Sequence, residues 1–265
     1  NNRKRKTWTT SIYKSKMKIL WVSDKVDPLI YNNNKKKNFP DIDLILCAGD
    51  LPMDYIEFIV SVFNKPTYFV FGNHNLKEFK YYHGFKNRTP FSLEPSFSIN
   101  SLDNSCNHGA IYAGFKVLKN KNAFITYKNK KSPLLIAGIS GSIKYNNGLN
   151  QYTDNQMKLR LILMIPKLLL NKLFYGRYLD IFLTHATPYK VHDHDDPCHI
   201  GFKSFNWFVK KFAPTYMVHG HIHLYDQREI RISQYEDTTV VNAYAHCIID
   251  YEETQKTYNE KNENW

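Results

Sequence analysis

Leu44-Ile45-Leu46-Cys47-Ala48-Gly49-Asp50 carries the first decision about architecture. A run this short, apolar throughout and without polar alternation, reads as a strand buried on both faces, the kind found in parallel sheets. Asp50 stands where the run gives out. After Leu51-Pro52-Met53-Asp54, the residues Tyr55, Ile56, Phe58, Ile59 and Phe63 recur at helical spacing, with Pro52 in the first turn. Asn64-Lys65-Pro66 stops that helix, and Thr67 to Phe71 predicts the next strand. Strand, helix, strand is the opening of an α/β sheet with covered faces.

Four other apolar runs end in the same way. Ile19-Leu20-Trp21-Val22-Ser23 precedes Asp24, and Tyr68-Phe69-Val70-Phe71-Gly72 precedes Asn73-His74. Ile181-Phe182-Leu183-Thr184 ends at His185, and Tyr216-Met217-Val218 leads to Gly220-His221-Ile222-His223. Asp, Asn and His at the carboxyl ends of strands occupy the crevice where open α/β sheets bind ligands, and neutral imidazole is the commonest protein ligand for transition metals. A lone Asp after a strand is usually a turn residue, and a lone core His is usually satisfied by backbone. Five such strand ends in one chain are not explained that way.

Outward from these blocks, Asn75 to Asn107 is irregular and predicts a cap or long loop beside the site. Ala110 to Ala113 and Phe115 to Leu118 read as short strands, Pro133 to Ile139 as a longer one, and Gly138 to Tyr145 as a turn away from it. Thr153-Asp154-Asn155-Gln156 is a capping-box helix start before the apolar stretch Met157 to Leu173, which Pro166 is expected to kink or split. Leu179 to Thr184 and Thr215 to His219 read as strands around a helix from Phe202 to Phe212. Ile230 to Ser233, Thr238 to Ala243 and Cys247 to Tyr251 read as antiparallel strands.

With 265 residues, 43% of them hydrophobic and 15% aromatic, the chain can bury a large core. Residues 1–16, with Arg3-Lys4-Arg5-Lys6, read as a basic tail, and 17–265 as one domain. Lys and Arg number 36 against 24 Asp and Glu, a formal charge of +12 that favours anionic ligands. Much of the lysine sits in Asn/Lys-rich stretches such as 32–37 and 119–122, read as solvated loops. No stripe of Arg and aromatics marks a nucleic-acid track. Cys47, Cys106, Cys198 and Cys247 have no CxxC spacing and read as reduced thiols. No run is long enough to cross a bilayer and no signal-peptide core follows the amino terminus, so a cytoplasmic protein without a membrane partner is expected.

The ordered blocks Asp24, Gly49-Asp50, Gly72-Asn73-His74, His185 and Gly220-His221-Ile222-His223 resemble the calcineurin-like metallophosphoesterase family. The resemblance implies an α/β fold, a two-sheet β-sandwich flanked by helices, and hydrolysis of phosphomono- or phosphodiesters by a metal-activated water. It implies two divalent transition-metal ions (Mn²⁺, Fe²⁺/³⁺, Zn²⁺ or Ni²⁺). Asp50 would bridge them, Asp24 and His223 would hold one, and Asn73, His185 and His221 the other. His74 would contact the phosphate and protonate the leaving oxygen, with Asn73 and His199 also on the substrate side.

The first block departs from the pattern. The family reads Asp-x-His or Asp-x-Asp there, and this chain has Asp24-Lys25-Val26, with Asp27 one residue further on. A non-catalytic binding module with a degraded first metal site is therefore the alternative. Gly141-Ser142-Ile143-Lys144-Tyr145-Asn146, Asn150-Gln151-Tyr152-Thr153 and Asp196-Pro197-Cys198-His199-Ile200-Gly201 look like a bacterial-type subgroup of these proteins. His192-Asp193-His194-Asp195-Asp196 is similar to the HxHxD motif of metallo-β-lactamase hydrolases, but Pro197 stands where their next histidine falls. These residues are read as a polar loop at the crevice rim, and a metal hydrolase using His192, His194 and Asp196 as the minor reading.

Overall fold

The computed structural model describes residues 17–32, 38–83, 109–127, 130–226 and 228–251. The basic tail and most of the expected cap lie outside them. Strands β1 (Met17–Ser23), β2 (Leu44–Cys47) and β3 (Thr67–Phe69) are joined through helix α1 (Met53–Phe63). After α2 (Phe79–His83) come β4 (Ile111–Tyr112), β5 (Lys116–Tyr127), β6 (Lys130–Ile139), β7 (Ser142–Ile143) and β8 (Gln151–Tyr152). Helix α3 (Asp154–Tyr175), β9 (Ile181–Thr184), α4 (Lys203–Phe212) and β10 (Tyr216–His219) follow, and β11 (Ile232–Tyr235), β12 (Thr238–Asn242) and β13 (Ala245–Tyr251) complete the order.

Two sheets result. One has the order β13-β1-β2-β3-β4 and the other β11-β12-β10-β9-β6-β5. The strands that carry the ligand-type residues are their parallel members, β1 with β2 and β3, and β9 with β10. Strand β13 closes the first sheet antiparallel to β1, and β11 pairs antiparallel with β12, whereas β12 itself runs parallel to β10.

Apolar side chains fill three layers. Ile19, Trp21, Leu44 and Leu46 of the first sheet meet Ile136, Ile181, Leu183 and Val218 of the second. Leu20, Val22, Ile45 and Cys47 face the other way, against Tyr55, Ile56 and Ile59 of α1. Leu135 and Phe182 lie against Leu161 and Leu168 of α3 and Phe205 and Phe208 of α4. Strands buried on both faces explain why β1, β2 and β9 have no polar alternation. Each large side chain removed from water contributes roughly 1.5–3 kcal/mol.

Three expectations change. Pro166 neither ends nor splits α3, which runs unbroken from its Thr153/Gln156 capping box to Gly176. Met157, Leu161, Met164 and Leu168 are buried on both sides of it, and the residue whose carbonyl loses its partner, Ile162, is on the exposed side. Lys119-Asn120-Lys121-Asn122 is not a loop: it lies inside β5, an edge strand whose register against β6 shifts between Asn120 and Phe124. Pro52 is the N-cap of α1 rather than a first-turn residue.

Candidate metal centre

Three of the ligand-type residues leave the ends of their strands in tight turns. Asp24, Asp50 and His221 have φ of 63°, 54° and 69°, the left-handed region that non-glycine residues rarely enter. Such outliers persist where the surroundings over-determine them, which is a mark of functional sites. The Asp24 amide donates to the Gly49 carbonyl (3.1 Å), and the His221 amide to both Asp24 carboxylate oxygens (3.0 and 3.1 Å). The ends of both sheets are thereby brought to one point.

There, Asp50, His185 and His221 are buried and offer donor atoms within 4.8 Å of one another. The Asp50 Oδ2 to His185 Nε2 distance is 3.3 Å, Asn73 Oδ1 lies 3.1 Å from the same nitrogen, and the His185 and His221 ring centroids are 4.8 Å apart. His223 Nε2 sits 3.9 Å from Asp24 Oδ1.

Both buried imidazoles have their tautomer fixed from behind. His185 Nδ1–H donates to the Ala48 carbonyl (2.9 Å), which leaves Nε2 facing Asp50 and Asn73. His221 Nε2–H donates to the Cys198 carbonyl (2.7 Å), which leaves Nδ1 unprotonated. Carbonyl partners of this kind orient metal-binding histidines. Space is held open by Gly72, where a Cβ would lie 2.6 Å from Asp50 Cγ and from His185 Cε1, and by Gly220, where it would lie 2.5 Å from Asp24 Oδ2.

Charge fits the same use. Burial alone would push Asp50 up, but the His185 charge and hydrogen bond and the His74 amide (2.7 Å) outweigh it and hold the carboxyl at about 2. Burial disfavours charge on His185, and Asp50 more than reverses this, raising it to about 9. Burial and neighbouring His185 lower His221 to about 3. Burial raises Asp24, with His185 opposing and Asp50 adding to the rise. One buried carboxylate and two imidazoles converge here, with Asp24 and His223 beside them, and this is a donor set that divalent cations suit.

The calcineurin-like phosphoesterase profile matches residues 17–225. The chain belongs to that family. A search of curated proteins finds no match. Among solved structures, one crystal structure aligns at a TM-score of 0.54 with 12% identity, over 89% of this chain and 95% of the other. TT1561 of Thermus thermophilus aligns at 0.51 with 16% identity, over 87% and 90%. GAP50 of Plasmodium, described as the anchor in the inner membrane complex, aligns at 0.44 with 12% identity over 86% and 71%. At 12% and 16% identity the likeness to the first two concerns fold alone.

In this calcineurin-like chain, all six residues expected to hold metal are joined in one network of contacts. His74 contributes its amide to Asp50 while its side chain is exposed. Asp27, one residue past Val26, has its carboxylate on His246 Nδ1 (2.5 Å) and the Leu29 amide (2.8 Å). Lys25 and Val26 face solvent. Asn150 braces the asparagine loop through the Gly72 carbonyl (2.6 Å), and Tyr145 OH accepts from Asn73 Nδ2 (3.3 Å). Tyr225 OH is 2.7 Å from His223 Nδ1, and the Tyr244 ring lies 4.9 Å from that histidine.

The HxHxD reading fails on His192. Its Nδ1 is 2.8 Å from His219 Nε2 and its Nε2 is 2.6 Å from Ser233 Oγ, so both ring nitrogens are taken away from His194 and Asp196. The residues that sequence reasoning missed are Ala48 and Cys198, whose carbonyls act and whose side chains give no signal of it. Cys47, Cys198 and Cys247 are free thiols, and Cys106 lies outside the described residues. Among the described residues no helix is long and apolar enough to cross a membrane.

Proposed function

We propose that the chain is a metal-dependent phosphoric ester hydrolase acting on phosphomono- or phosphodiesters. The observation that carries this reading is the convergence of Asp50, His185 and His221 with both imidazole tautomers set by backbone carbonyls. In it Asp50 would be shared by two divalent ions, with Asp24 and His223 holding one and Asn73, His185 and His221 the other. Bound there, the ions supply Lewis-acid charge and lower the pKa of a water for in-line displacement at phosphorus.

The chain's own groups do the rest. Asn73 keeps its amide fixed through Tyr145, so that its oxygen is presented inward. The His74 amide holds Asp50, and its exposed imidazole is free to turn to the leaving oxygen and donate a proton. His199, with its ring 5.1 Å from that of His221 and Nδ1 on Asp196, would turn Nε2 to the substrate. The basic balance of the chain draws the anionic ester in.

Metal-free protein should regain hydrolysis of an aryl phosphodiester or monoester on adding Mn²⁺, and Asp50→Asn should abolish it. Activity that survives both chelation and Asp50→Asn would sink the reading. A second reading, a binding module without turnover, is favoured by Val26 at the expected second ligand position and by Asp27 being engaged with His246. His74→Ala separates the two: the hydrolase loses turnover while keeping its metal, whereas the module has no turnover to lose.

A further inference from the structure

The loop between β9 and α4 turns a second set of donors toward one another, apart from the centre just described. His194, Asp196 and His199 offer ligand atoms within 4.8 Å of one another. Asp196 Oδ1 and Oδ2 are 2.8 and 2.9 Å from His199 Nδ1. Cys198 Sγ is 2.8 Å from Asp196 Oδ1 and 3.6 Å from His199 Nδ1, and the rings of His194 and His199 are 5.7 Å apart. The backbone holds this arrangement: the His194 amide donates to the His199 carbonyl (3.3 Å), the His199 amide to the Asp196 carbonyl (3.1 Å), and the Gly201 amide to Asp193 Oδ2 (3.0 Å).

We propose that His194, Asp196, His199 and the thiol of Cys198 form a binding site for one further divalent cation of the zinc type at the rim of the crevice. Two imidazoles, a carboxylate and a thiolate match the tetrahedral preference of Zn²⁺, and sulfur and nitrogen donors select against Ca²⁺ and Mg²⁺. Without an ion, the thiol hydrogen points to Asp196 and Asp196 pairs with His199, so the cluster is held by protons that a cation displaces. Exposure of His194 and partial exposure of Asp196 and His199 leave an entry path.

The site adjoins the buried centre at two residues, the His199 ring, 5.1 Å from that of His221, and Cys198. Cys198 turns its side chain to the rim cluster and its carbonyl to His221 Nε2–H. A cation at the rim therefore stiffens the peptide that orients His221, and the two sites are expected to load in order, rim before centre.

Titration of metal-free full-length protein with Co²⁺ tests this, because the buried centre has only oxygen and nitrogen donors. Wild type and Asp50→Asn should both develop a near-ultraviolet thiolate-to-cobalt charge-transfer band saturating at one equivalent, and Cys198→Ser should lose it. In equilibrium dialysis with elemental analysis, His194→Ala and Asp196→Asn should each weaken one Zn²⁺ by at least about 100-fold, above the loss typical of an outer-shell partner, with thermal unfolding unchanged because the side chains are partly exposed. Absence of the band in wild type, its survival in Cys198→Ser, or unchanged zinc binding by the two variants would overturn the proposal. A band in Asp50→Asn beside lost hydrolysis keeps this site distinct from the fate of the hydrolase reading.

Discussion

Gly72→Ala adds a single methyl group at the floor of the centre, and its effect follows from the atoms packed around that position. The new Cβ would lie 2.6 Å from Asp50 Cγ and from His185 Cε1, and closer still to Asp50 Oδ1. Ordinary carbon contacts are about 3.5–4 Å, so both side chains must retreat by roughly 1 Å. Neither can do so freely. Asp50 is tied to the His74 amide at 2.7 Å and His185 to the Ala48 carbonyl at 2.9 Å, and both are buried. The overpacking should cost stability about 1–3 kcal/mol. Misplacing a reacting array by about 1 Å costs about 100-fold in rate, so hydrolysis should fall by that factor or more while the protein still folds. The assay is Mn²⁺-dependent hydrolysis of an aryl phosphodiester, read beside the metal content per chain and the urea midpoint. Gly72→Ala with wild-type metal content and turnover would refute the reasoning, since Asp50 and His185 could not then be gripping a common ion.

Metal loading at pH 7.5 should release about one proton, carried by His185 at about 9, and apparent affinity should rise about tenfold per pH unit up to about 9; calorimetry in two buffers of different ionisation enthalpy checks it. In metal-free protein the raised His185 contributes stability fully below 6.5, lost as pH climbs through about 9, and the depressed Asp50 contributes above 3.8, lost as pH falls through about 2. The unfolding midpoint should therefore be highest between those limits, and a flat profile from pH 4 to 9 would contradict the pair. Arg177→Met should cost about 3–5 kcal/mol in urea unfolding, because it strands the buried Asp180 carboxylate that Arg177 grips through Nε (2.5 Å) and a terminal nitrogen (2.9 Å). On α3, Leu161→Ala should cost about 2–5 kcal/mol while Leu163→Lys, 60% exposed, stays within about 0.5, and equal losses would reverse the assigned inner face.

The strands and the Asp, Asn and His at their ends are legible because the strands are buried and those of Asp24, Asp50 and His221 end in left-handed turns that few residue types tolerate. Gly49-Asp50, Gly72-Asn73 and Gly220-His221 each set a glycine, where a Cβ would strike His185, Asp50 or Asp24, before a residue of the proposed centre. The helix face of α1 and the capping box of α3 were legible for the same local reason. Pro166 does not split α3 because one lost backbone bond on the exposed side weighs less than four buried side chains on the other. The Lys/Asn stretch in β5 misled because polar residues suit an edge strand, and pattern alone does not tell an edge from a loop.

Backbone carbonyls are invisible to sequence, and here they decide which nitrogen of each buried histidine faces inward. Ala48 sets His185 from the end of a strand, so that its hold is as rigid as the sheet. Cys198 sets His221 from a surface loop, and a loop is only as rigid as its own contacts make it. The two halves of the same centre are thus supported unequally, one by the core and one by the rim. It follows that residues around Cys198, which the HxHxD spacing groups wrongly with His192, matter to the buried centre through the peptide they constrain rather than through the motif they spell.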